Sequence, residues 1–145
     1  MDDFNKNLNV LLSDLNVFYR KLQNYHWNVQ GKDFFNIHAK LEEYYDEINE
    51  QIDEVAEKML MIDMQPLGTM KDYLANTTIQ EAENAKIDEN SVYPILIKDY
   101  DTLLNQVKTI KKQADDQSCY MMSSFMDELI SSYKKHLWML KQSSI

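Results

Sequence analysis

Apolar residues return every three or four positions over four long stretches of the chain, the spacing of one buried face per helix. The first stripe runs through Phe4, Leu8, Leu11, Leu15, Phe18, Leu22 and Tyr25. Gln30-Gly31-Lys32-Asp33 breaks it, with Gly31 read as a C-terminal cap and Asp33 as the N-cap of the next helix. The second stripe is Phe34, Ile37, Leu41, Tyr45, Ile48, Ile52, Val55, Met59 and Ile62, and it stops before Pro66. The third, Leu96 through Tyr100, Leu103, Val107 and Ile110 to Ala114, predicts a helix starting at Ser91 with Pro94 in its first turn. Met122, Phe125, Leu129, Tyr133, His136, Leu137 and Leu140 make the fourth. The pattern is that of an antiparallel bundle.

The connection from Ile62 to Asn90 is too long for a simple bundle loop. Thr69 to Leu74 within it predicts a short helix capped by Thr69, on a crossover joining two parallel helices and offering a place for subunit contacts. Two glycines and two prolines in 145 residues leave little turn punctuation for a sheet, and the length suits one domain over residues 1–145.

Charge narrows the partners. The chain carries net −9 with scattered lysines and no basic tail, so cations are more natural partners than nucleic-acid phosphates. No apolar run is long enough to span a bilayer, and Cys119 has no second cysteine to pair with, which together predict a cytoplasmic protein. Cys119 reads as a small apolar residue at a helix start, and the nine methionines read as core filling.

Three histidines carry the candidate chemistry. His136 falls on an apolar stripe and reads as a hydrogen-bonded packing residue. His26 and His38 flank the Gly31 turn on successive helices, so a hairpin can bring them together. Trp27 reads either as a cover for that pair or as a core or interface aromatic. Asp53 and Glu57 share one face of the second helix, but Asp53 lies roughly 22 Å along it from His38. A site using all four therefore needs His26 and His38 from one subunit and Asp53 and Glu57 from another, and a two-fold contact would build it twice. Imidazole and carboxylate together suit Fe(II), and zinc equally. The ordinary di-iron bundle needs Glu-x-x-His on two helices, and no Glu here precedes a His by three. Glu43, Glu47, Glu50 and Glu54, with Asp46 beside them, form an acidic row that is either a solvated face or the wall of an iron-collecting cavity.

Around these positions the chain resembles the Dps family of mini-ferritins. The runs that carry the likeness are Asn24 to Gly31 (NYHWNVQG), Phe34 to His38 (FFNIH), Ile52 to Lys58 (IDEVAEK), Pro66 to Leu74 (PLGTMKDYL) and His136 to Leu140 (HLWML). The resemblance implies an all-α, ferritin-like four-helix bundle with a short crossover helix between the second and third helices, assembled as a hollow dodecamer. It implies ferroxidase activity at inter-subunit sites, with hydrogen peroxide or dioxygen as oxidant, and storage of ferric iron in protection against oxidative damage. By the same resemblance His26, His38, Asp53 and Glu57 are the iron ligands and Glu42 a supporting carboxylate. A DNA-compacting stress protein and a metal-free helical scaffold are the rival readings. Direct DNA contact is not expected, because net −9 is repeated over a shell and the Lys-rich tail of DNA-binding relatives is missing. Ser124 stands where relatives often carry a pore-lining Asp, so iron entry either relies on Asp127 or Glu128 or is slower.

Overall fold

The computed structural model describes residues 2–144. Four long helices form a ferritin-like bundle: α1 (Asp2–Asn28), α2 (Phe34–Met61), α4 (Glu89–Asp116) and α5 (Tyr120–Ser143), with a short α3 (Met70–Asn76) in the crossover. The predicted stripes supply the core: Leu8, Leu11, Leu15, Phe18 and Leu22 of α1, Leu96, Leu103, Val107 and Ile110 of α4 and Phe125, Leu129 and Tyr133 of α5 belong to one buried cluster. Every one of these is essentially removed from solvent, and this burial supplies most of the stabilisation. No helix among the described residues is long and apolar enough to cross a membrane.

Chain direction follows from two residues on each side of the crossover. A short parallel pair, β1 (Val29–Gln30) with β2 (Ile87–Asp88), registers Val29 with Ile87 and Gln30 with Asp88. The end of α1 thus sits beside the start of α4. Since α2 starts at that same end, α2 and α4 run parallel, as the long crossover requires. Buried Asp14 of α1 anchors that crossover. Its carboxylate accepts from Thr77 Oγ1 and Thr78 N, both at 2.6 Å, from Thr78 Oγ1 at 2.7 Å, from Ile79 N at 3.2 Å and from Gln106 Nε2. Periodicity gave no sign of this role, because Asp14 lies off the apolar stripe. Thr69 caps α3 by accepting from Asp72 N, as expected.

Four local expectations are corrected. Gly31 does not cap α1: the helix ends at Asn28, and Gly31 turns the chain between β1 and α2 with φ +155°. Asp33 occupies the N-cap position but makes no capping bond, since its carboxylate accepts instead from Asn36 Nδ2 at 2.7 Å. Helix α4 begins at Glu89, where Asp88 caps it, so Pro94 stands in the second turn and leaves the carbonyl of exposed Asn90 to solvent. On α2 the stripe holds at Ile37, Leu41, Ile48, Val55 and Met59, but Tyr44 and Gln51 complete the buried face, with Tyr45 and Ile52 only half-buried. The steps of three and four from Leu41 to Val55 are satisfied equally by either set. Hydrogen bonding favours Gln51, whose Oε1 accepts from the buried Tyr133 hydroxyl at 2.6 Å.

Candidate metal centre

The turn through Gly31 folds the end of α1 against the start of α2, and His26 meets His38 there. Their rings stack with centroids 3.7 Å apart and planes 11° from parallel. Each ring is held by the other residue's backbone: His26 Nδ1 is 2.6 Å from the His38 carbonyl oxygen, and His38 Nδ1 is 2.7 Å from that of His26. A carbonyl only accepts, so both Nδ1 atoms carry the proton. In the neutral rings the Nε2 lone pairs are left free, the state in which imidazole binds a metal. Glu42, one turn after His38, brings Oε1 to 3.6 Å from His26 Nε2.

Aromatic packing stiffens the pair. Phe34 stacks on His38 at 4.9 Å, and Tyr45 sets its edge against His26 at 5.4 Å. Sequence reasoning missed both roles. The Phe-x-x-x-His spacing on one helix face was the available signal for Phe34, whereas the wrong choice of core face concealed Tyr45. Burial, with the carboxylates of Glu42 and Asp46, holds the Tyr45 phenol above its ordinary range. Trp27 does not cover the histidines. It is 56% exposed, with Arg20 6.0 Å from its ring centre.

Asp53 and Glu57 stand exposed further along α2, out of reach of the histidines of their own chain. Among the described residues no three His, Cys, Asp or Glu side chains of one chain cluster closely enough to hold a metal ion. The structure thus brings together His26, His38 and Glu42, and leaves Asp53 and Glu57 as a separate acidic pair.

The other candidates divide. Glu47, half-buried, receives hydrogen bonds from Ser132 and Gln51 and lies 3.1 Å from His136 Nε2. The His136 hydrogen bond, opposed by burial and aided by Ser132, the charge of His136 and Gln51, lowers the Glu47 carboxyl below its usual range. His136 also packs on Tyr44 and Tyr100, the hydrogen-bonded packing role expected of it. Glu43 and Glu54 pair loosely with Lys40 at 3.8 Å and Lys58 at 3.9 Å, and Glu50 is exposed. Lys111 of α4 lies 2.9 Å from Asp127 of α5, and Glu128 beside it is exposed.

Comparison with known proteins agrees with this architecture. Residues 5–143 match the ferritin-like domain family, and the chain belongs to it. The chain is 39% identical to DNA protection during starvation protein 2 of Bacillus anthracis, over 92% of this chain and 91% of that one. Among solved structures it is similar to the Dps protein of Vibrio cholerae, described as one of a broad superfamily of ferritin-like diiron-carboxylate proteins, with TM-score 0.92 and 35% identity over 97% of this chain and 88% of that one. It is similar too to Dps of Staphylococcus aureus, with TM-score 0.95 and 29% identity over 100% and 97% of the two chains. Within the ferritin-like proteins, this is a member of the Dps family.

Proposed function

We propose that the protein is a ferroxidase and iron store, working in the cytoplasm as a homo-oligomer, a hollow dodecamer, whose ferrous sites are shared across two-fold contacts. His26 and His38 of one subunit, with Glu42 in support, and Asp53 and Glu57 of another hold the Fe(II) substrate. The observation that carries this reading is the mutual Nδ1–carbonyl lock, which prepares two imidazole nitrogens for a metal, with Glu42 as the acid beside His26. Two neutral imidazoles bring no compensating charge to a divalent ion, and two carboxylates from a second copy would provide it.

With hydrogen peroxide as oxidant, two ferrous ions give one electron each. The O–O bond breaks, and two protons complete two waters. Dioxygen is the alternative acceptor. Ferric product is then collected on the acidic side of α2, chiefly by Glu43, Glu50 and Glu54, since Glu47 is engaged by His136. Protection of DNA, which names the Bacillus anthracis relative, follows on this reading from removal of ferrous iron and peroxide. Direct contact with DNA is disfavoured by net −9.

Subunit mixing tests the shared site. His26→Ala and Asp53→Asn are each expected to lose rapid ferric formation, followed by absorbance after Fe(II) and peroxide are added. Random reassembly of the two variants restores about a quarter of the sites, because half the pairs are hybrid and each hybrid keeps one complete site. Two inactive variants that show no recovery on mixing would refute the sharing.

A further inference from the structure

Between α3 and α4 the crossover forms an arch. Thr77 to Ile79 at its first foot are tied to Asp14 of α1, and Ile87 and Asp88 at its second pair with Val29 and Gln30. Residues 80–85 between the feet have no regular structure. Among the described residues, the one backbone–backbone hydrogen bond of that stretch is internal, from Ala85 N to the Glu83 carbonyl at 2.9 Å. Under the arch, α1 and α4 leave a cavity of about 490 Å³, within the size range of small-molecule sites.

The helix side of this cavity holds an ion pair withdrawn from water. Lys21 Nζ lies 2.7 Å from Asp99 Oδ2, and the two side chains are 5% and 7% exposed. That oxygen has no partner except Lys21 among the described residues. An ammonium carries three N–H donors, and buried donors are nearly always satisfied. Asp99 is the one acceptor that the described residues give Lys21, so two donors are left for oxygen atoms from outside the chain. Charge also divides across the cavity. Lys21, Lys98 and Asp99 on the helices sum to +1, whereas Glu81, Glu83 and Lys86 on the arch sum to −1. Tyr25, Ile87 and Ile95 add apolar wall. Burial, with the charges of Asp99 and Glu83, pushes the Tyr25 phenol up to about 12, which keeps it a neutral donor.

We infer that the cavity binds a small zwitterion, an amino acid or short peptide with an apolar side chain. Its carboxylate accepts from Lys21 beside Lys98, its ammonium lies against Glu81 and Glu83, and its side chain covers the isoleucines. A simple anion would meet the arch glutamates with nothing to offset them, and a simple cation would meet the lysines. A ligand with both charges answers both walls. No proposed iron ligand takes part, so this site and the iron site stand or fall separately.

The dipeptide Leu-Leu is the probe, titrated by calorimetry into the whole assembled protein. One peptide per chain is expected to bind, with a dissociation constant below about 1 mM. N-acetyl-Leu-Leu lacks the ammonium and Leu-Leu amide lacks the carboxylate, and each is expected to bind roughly 10-fold more weakly. Hydrogen exchange at residues 80–85 should slow several-fold with Leu-Leu bound. Removing Lys21 alone would strand Asp99 in the interior, so Lys21→Met is made together with Asp99→Leu. That variant should lose roughly 10-fold in affinity with helix content unchanged by circular dichroism. Should it unfold, Glu81→Gln with Glu83→Gln changes only exposed residues and should cost a similar factor. No heat with Leu-Leu, or equal binding of all three peptides, would overturn the proposal and leave the cavity to water. Equal affinity in the parent and the glutamine variant would overturn it too.

Discussion

Gly31→Ala tests how the chain builds the histidine pair. Gly31 holds φ at +155°, a region that side chains rarely adopt, and a methyl group there would lie 2.2 Å from Glu89 Cδ and 2.5 Å from Cγ. Glu89 is not idle at that point, because its Oε2 accepts from Asp33 N at 3.0 Å and ties the start of α2 to the start of α4. Backbone strain contributes about 1–3 kcal/mol. Swinging Glu89 aside forfeits an exposed hydrogen bond worth about 1 kcal/mol. The sum, about 2–4 kcal/mol, is a sizeable part of the stability of a chain this long. With a urea slope of roughly 2 kcal/mol per molar, the unfolding midpoint should fall by about 1–2 M at matched chain concentration. In a Glu89→Ala background the same substitution should cost about 1 kcal/mol less, since the clash is gone and only the strain remains. A midpoint that stays within about 0.3 M of the parent would show that the turn does not depend on Gly31, and the account of how His26 and His38 are aligned would go with it.

Two further outcomes follow from buried carboxylates. Asp14→Ala leaves the buried Ile79 N–H, and the Thr78 and Gln106 donors beside it, without their carboxylate. It should cost about 2–3 kcal/mol and speed amide exchange at Thr78 and Ile79; unchanged exchange would count against Asp14 as the crossover's anchor. Glu47 has its carboxyl lowered in the folded state below the ordinary 4.5, so its contribution to stability is present above that value and is lost as pH falls through the folded value. The stability gap between the parent and Glu47→Gln should therefore shrink as pH falls below 4.5 in urea titrations, and a gap that widens over that fall would contradict the assignment.

Most of the bundle could be read from the spacing of apolar residues, because burying one face of each helix drives folding more strongly than any other interaction and leaves a regular trace. Thr69 was legible for a local reason, since a threonine three residues before an acid caps through its own backbone neighbours. Long-range polar contacts left no such trace. Asp14, between Ser13 and Leu15, looked like any charge on a helix, yet it organises residues more than sixty positions away. Tyr44 rather than Tyr45 enters the core against Tyr100 and His136, as Gln51 does against Tyr133, partners that only the folded bundle brings into contact. For the candidate site, the approach of His26 to His38 followed from a hairpin, and the separation of Asp53 from His38 followed from helix rise. The exchange of carbonyls between the two imidazoles did not, because it depends on how closely the hairpin's backbones approach at the turn.

That exchange makes His26 and His38 a single device with two handles. Truncating either one keeps its backbone carbonyl but strips the other of the stacked ring that helps to aim it, so on the proposed reading a lost ligand would arrive together with a disoriented one. Alanine scanning would then charge almost the whole defect to each residue in turn, and the double variant would look scarcely worse than either single. The number of imidazoles that bind cannot be counted by deleting them one at a time.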